Sequence, residues 1–174
     1  MSLARVRREA QRLLLEVGID SPPVDLKRIA TALGLKVVSA DLGADVSGLL
    51  VRTAEGSRIC VASGDPITRR RFTIAHEIGH HVLSHQFEPG EHVHVDRGNY
   101  ISQRGLRASQ GVDPKEIEAN HFAACLLMPA PLVEREVEQL RSPHLVDTQV
   151  TALAEKFRVS EQAMTIRLTA LGFL

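Results

Sequence analysis

The sequence predicts an α+β fold: a small antiparallel or mixed sheet packed against a helix that carries His76-Glu77-Ile78-Gly79-His80, followed by a mainly helical C-terminal part. Three observations predict it. Apolar residues recur at helical spacing before residue 34 and again after residue 113. Between residues 35 and 62 the segments are short, β-branched or alternating. The order is helices, sheet, helix, then helices to the end, which excludes an alternating strand-helix-strand fold.

Residues 3–17 place Leu3, Val6, Ala10, Leu13, Leu14 and Val17 on one helical stripe, with Gly18 as its stop. Ser21-Pro22-Pro23 reads as a turn, and residues 25–33 as a short helix closed by Gly34. Residues 35–38, 48–52 and 58–62 predict about three strands, the last two joined by a hairpin turn at Glu55-Gly56. Asp65-Pro66 ends the sheet, and residues 68–83 return to helical period with Phe72, Ala75, Ile78, Gly79 and Val82 as the apolar stripe. Residues 84–112 are polar and glycine-rich with weak periodicity, so a long loop is expected, serving either as a cleft wall or as a mobile cover. Asp113 and Pro114 read as N-cap and first helical residue, with Glu116 at the N3 position of a capping box. That helix runs to Met128, where Pro129 and Pro131 end it; residues 132–140 supply another helix. Residues 148–157 and 160–171 form a closing pair around Arg158-Val159. Residues 1–141 are expected to be one domain, with 142–174 a helix-turn-helix-like pair packed on it.

The 174 residues can bury one substantial core. Lys and Arg number 21, as do Asp and Glu, so no general affinity for phosphate backbones is implied. Cys60 and Cys125 sit in apolar runs and read as two buried thiols in a reducing compartment. Arginines at 5, 7, 8 and 12 interrupt any N-terminal apolar run, and residues 122–133 fall short of the roughly 20 apolar residues that span a bilayer. A soluble, cytoplasmic protein is expected.

The chemistry is concentrated in His76-Glu77-Ile78-Gly79-His80. Four residues advance a helix by about 400°, so both imidazoles emerge on one face a turn apart, suited to one zinc ion. Glu77 beside them can take a proton from an attacking water and hand it to a leaving amine. Gly79 permits close approach of another segment. A third ligand is required, and His81, His85, His92, His94, Asp96, Glu116, Glu118 and His121 are the candidates downstream. His81 points about 100° away from His80. A second helix offers Glu116, with Asn120 four residues on to accept a hydrogen bond from the far nitrogen of a ligand histidine. Glu118 falls about 200° from Glu116 and reads as solvent-facing.

Residues 71–81 (RFTIAHEIGHH) together with 116–129 (EIEANHFAACLLMP) resemble the ImmA/IrrE family of metallopeptidases, and the likeness extends over most of the chain. The resemblance implies that His76, His80 and Glu116 bind one Zn²⁺, or Mn²⁺ or another divalent ion, and that Glu77 is the catalytic base. It implies cleavage of a helix-turn-helix repressor or antitoxin under stress, by what resembles the free-standing form of the protease.

His92 and His94 can alternate on a short strand lining the cleft and, with Tyr100, are candidates to stabilise the oxyanion. Otherwise His85, His92 and His94 have solvated or loop-stabilising roles. His121 reads as a packing residue or as one supporting a metal ligand from behind, and Cys125 as a small core hydrophobe. The closing pair raises two alternatives: a DNA-binding regulator, or a non-catalytic protein-binding module. Against the first, Lys156, Arg158 and Arg167 are balanced by Asp147, Glu155 and Glu161. No direct contact with nucleic acid or membrane is expected.

Overall fold

The computed structural model describes residues 1–53, 56–85, 93–96, 113–140 and 145–174. Helix α1 (Leu3–Val17) buries Val6, Ala10, Leu13 and Leu14, the predicted stripe, and ends at Gly18 in the left-handed conformation. Helix α2 (Leu26–Ala32) is capped by the Asp25 side chain, which accepts from the Arg28 N–H. Strands β1 (Lys36–Ala40), β2 (Gly48–Thr53) and β3 (Gly56–Ala62) follow, then α3 (Ile67–Val82) and β4 (Val93–Asp96). The chain closes with α4 (Pro114–Leu127), α5 (Ala130–Gln139), α6 (Asp147–Phe157) and α7 (Glu161–Leu171).

The sheet is mixed, in the order β1-β3-β2-β4. Strand β1 runs parallel to β3, while β2 is antiparallel to both β3 and β4. The fourth strand lies inside the segment expected to be a long loop, with His94 opposite Leu50 in the register. Four residues are too few for alternation to stand out from a polar, glycine-rich background. Thr53 pairs with Gly56, so β2 and β3 form the expected hairpin; Glu55 of its turn lies outside the described residues.

Leu50 and Ile59 stand opposite one another, both fully buried, and the α3 helix packs on both strands. On its other side α3 packs on α4, which also packs on α1. Helix α4 is therefore sandwiched, and its apolar residues do not keep to one face: Ala119, Phe122, Ala123, Cys125, Leu126 and Leu127 are all buried. Fully burying a side chain such as Phe122 contributes about 1.5–3 kcal/mol.

One apolar cluster runs from Val6 through Ile59 and Phe122 to Phe157, Met164 and Leu168, so the closing helices share the core of the rest. Two polar contacts tie them down. Buried Arg167 of α7 donates from Nε to the Met128 carbonyl at 2.8 Å, satisfying an orphan acceptor where α4 ends. Lys156 of α6 pairs with the Glu136 carboxylate of α5. Cys125 is buried as expected, and burial raises its thiol pKa. Cys60 is only half-buried, which corrects the reading of both thiols as interior: it lies on the face of β3 turned away from Ile59 and Val61.

Candidate metal centre

Helix α3 buries polar side chains among apolar ones, an arrangement that costs stability unless the buried polar groups find partners. His76, Glu77 and His80 are essentially inaccessible to solvent. The i,i+4 spacing brings His76 Nε2 and His80 Nε2 within 3.0 Å of one another. Glu116, in the first turn of α4, sets Oε2 3.3 Å from His76 Nε2 and Oε1 3.2 Å from His80 Nε2. The sequence places Glu116 at N3 of a capping box; its carboxylate lies against the two histidines instead.

What brings the two helices so close is Gly79. A Cβ there would stand 3.2 Å from Phe122 Cδ1 and 3.3 Å from both Cα and O of Ala119. Side-chain-free backbone on one helix meets alanine on the other, and Glu116 is thereby carried over the histidine pair.

The donor set fits a divalent cation. Asn120 Oδ1 lies 3.0 Å from His76 Nδ1 and accepts its hydrogen, which leaves Nε2 of the neutral ring as a lone pair facing the centre. Glu116, when ionised, can only accept. Acceptor atoms this close repel unless a positive charge lies among them. Nitrogen and oxygen ligands about 2.0–2.1 Å from one tetrahedral ion stand roughly 3.3 Å apart, close to the 3.0, 3.3 and 3.2 Å found here. Among the described residues this is the one group of at least three His, Cys, Asp or Glu side chains that could hold a metal ion.

Glu77 is fully buried on the sheet side of α3. A methyl group on Gly48, the first residue of β2, would stand 3.6 Å from Glu77 Oε1 and 2.2 Å from Thr73 Cγ2. The strand therefore reaches this part of the helix only because position 48 has no side chain.

Over residues 30–169 the chain matches the model of the IrrE N-terminal-like domain, peptidase family M78. It belongs to the M78 metallopeptidase family. The His76-His80-Glu116 group of this M78 domain could hold a divalent metal ion. Comparison with curated proteins gives no match. Among solved structures the fold is similar to a Mycobacterium tuberculosis transcriptional regulator, with a TM-score of 0.58 and 19% identity. The likeness covers 95% of this chain and 46% of that one, so the M78 chain spans less than half the length of the solved protein. Among the described residues no helix is long and apolar enough to cross a membrane.

Two residues beside the site depart from the sequence reading. His85 reads as solvated or loop-stabilising, yet it is buried, with Nδ1 3.0 Å from His80 Nδ1. Its Nε2 lies 3.1 Å from Glu118 Oε2. Glu118, expected to face solvent, is buried as well and also meets the amine of Met1. Burial holds the His85 imidazole below its ordinary pKa, opposed by the hydrogen bond to Glu118. The Glu118 carboxyl is held below its own by the amine, with His85 adding to the effect.

The route of the chain explains His85. The N–H of Ser84 donates to the His81 carbonyl and that of His85 to the His80 carbonyl, at 3.2 and 3.1 Å. This is the Schellman pattern, with Ser84 at φ +54° in the position glycine usually takes. It turns the residue five beyond His80 back onto it.

His121 lies 3.6 Å from Cys125 Sγ, a packing role as expected. The backbone of His94 belongs to β4. His92 and Tyr100, the other two candidates for oxyanion stabilisation, lie outside the described residues.

Proposed function

We propose that this M78 peptidase is a zinc-dependent endopeptidase that makes one defined cut in a helix-turn-helix repressor or antitoxin, in the cytoplasm, as part of a stress response. The observation that carries the hydrolytic part is a buried carboxylate, Glu77, adjacent in sequence to one of two histidines that converge with Glu116. The choice of substrate rests on the resemblance of residues 71–81 and 116–129 to ImmA/IrrE proteins.

A divalent ion held by His76, His80 and Glu116 would supply Lewis acidity, polarising a scissile carbonyl and lowering the pKa of water. Glu77 takes the proton from the attacking water and delivers it to the departing amine. Asn120 holds His76 in the tautomer whose Nε2 is bare. Burial of the histidine pair excludes competing water, while the Glu116 side chain, 34% exposed, leaves the centre open on one side. We read residues 1–141 as the peptidase unit and 142–174 as the support beneath its Glu116 helix.

The test is incubation of metal-loaded protein, and of its Glu77→Gln form, with repressors encoded next to it, reading products by intact mass. One new pair of fragments with the parent and none with the variant is expected. Metal-independent binding without a cut in any candidate overturns the reading.

A DNA-binding role is the alternative raised by the helix-turn-helix-like α6–α7 pair and by the likeness to a transcriptional regulator. The exposed side of α7 opposes it: Glu161, Gln162, Thr165, Ile166 and Thr169 lie there, without a lysine or arginine, and Arg167 is buried.

A further inference from the structure

We propose that His85 and Glu118 are positioning residues for His80: a two-link relay that fixes which ring nitrogen of His80 faces the metal group. This role rests on the metal reading above. It follows from which atoms meet. His80 and His85 approach through their Nδ1 atoms, 3.0 Å apart, and the far nitrogen of His85 lies 3.1 Å from Glu118 Oε2.

Two imidazole nitrogens in contact form a hydrogen bond only if one carries the hydrogen and the other does not. An ionised carboxylate can only accept, so Glu118 places the hydrogen of His85 on Nε2. The neutral His85 ring then has a bare Nδ1, which accepts from His80. Nδ1 of His80 therefore carries its hydrogen, and Nε2 is left as the lone pair that meets His76 and Glu116. Each link dictates the next.

The two metal-facing histidines are thus held by different means. His76 reaches the required tautomer in one step, through the amide oxygen of Asn120 at 3.0 Å. His80 reaches it in two, and the relay ends on a carboxylate, a stronger acceptor than an amide. All three groups of the relay are essentially buried, so water competes poorly for these hydrogen bonds. The Schellman turn at Ser84 fixes the first link through backbone, while the second joins α4 to the end of α3 at a point separate from Glu116.

The experiment compares the parent chain with His85→Phe, Glu118→Ala and Glu118→Gln. Affinity for Co²⁺ is read from visible absorption with a competing chelator, and the ring protonation of His85 from long-range ¹⁵N–¹H spectra of the metal-free chain. The phenyl ring fills the space of His85 without an acceptor. The glutamine keeps an oxygen that accepts from His85 Nε2. Co²⁺ binding should weaken about 10–100-fold in His85→Phe and in Glu118→Ala, the range found when partners of metal ligands are removed. Glu118→Gln should recover most of that loss, and His85 of the parent should carry its hydrogen on Nε2 alone.

Equal affinity in all four proteins overturns the relay and leaves the metal reading standing. Hydrogen on Nδ1 of His85, or a glutamine variant as weak as the alanine one, overturns the direction assigned to it. A parent chain that takes up no Co²⁺ overturns the metal reading and this role together. If circular dichroism shows His85→Phe unfolded, the two Glu118 variants decide.

Discussion

Glu77 has no solvent exposure and Gly48 stands beside its carboxylate. Its amide analogue has the same shape, so Glu77→Gln should keep melting temperature and metal content while lowering hydrolysis by about 10²–10⁴-fold. Parallel metal analysis and intact-mass kinetics check this; retained hydrolysis would remove Glu77 from its role as base. His76, Glu77 and His80 are legible because a helix period alone brings 76 and 80 together. Asn120 is legible for the same reason, four residues beyond Glu116. Glu118 is not, because rotation about the α4 axis says which way a residue points but not what lies there. The unbroken apolar run over residues 122–127 was the available sign: a helix apolar on several sides has neighbours on more than one, and Glu118 just before that run meets both His85 and the Met1 amine.

At the scale of single elements, the end of α3 and its crossing with α4 position the site. Ser84 occupies a left-handed conformation that costs an L-residue about 1–2 kcal/mol, whereas glycine adopts it freely but loses about 0.5–1 kcal/mol of chain entropy. Ser84→Gly should therefore raise stability slightly, by about 0.5 kcal/mol. Ser84→Val, β-branched, should lower it and weaken metal binding by displacing His85, as urea titration and Co²⁺ affinity would show. Gly79→Ala should be worse placed still. Its methyl, 3.2–3.3 Å from Phe122 and Ala119, forces the helices apart at a cost of about 1–3 kcal/mol, and metal affinity should fall with stability. Gly79 could be read from sequence as a point of close approach. The turn at Ser84 could not, because serine does not announce a left-handed cap as glycine or asparagine does. Strand β4 escaped for want of length.

Across the whole molecule, the His76-His80-Glu116 group joins α3 to α4, two elements separated by about thirty residues of sequence, within a single apolar core. A ligand bound only by the folded state stabilises it in proportion to the logarithm of its concentration, about 2.7 kcal/mol at one hundred times Kd. Chelation should thus lower the melting temperature of protein purified with zinc, and added Zn²⁺ should restore it. Glu116→Gln should shrink both shifts; a melting temperature indifferent to chelator in the parent would argue against the ion. The α+β class and a small sheet, antiparallel or mixed, were readable from the change of period near residue 35, since strands and helices here are locally consistent with their sequences; the parallel pairing of β1 with β3 was not, because period does not carry strand direction. The burial of Arg167 was not, because a charged residue in a closing helix is exposed by default, and only the carbonyl at the end of α4 makes its interior place tenable.

The approach of β2 to α3 also constrains how this chain can diverge. On the sheet side, the neighbour of Glu77 is a strand position that has no side chain to vary. Any enlargement of residue 48 must first dislodge the strand from Thr73, whose Cγ2 would stand 2.2 Å from the added methyl. Variation around Glu77 in descendants of this chain would therefore come from sides other than residue 48.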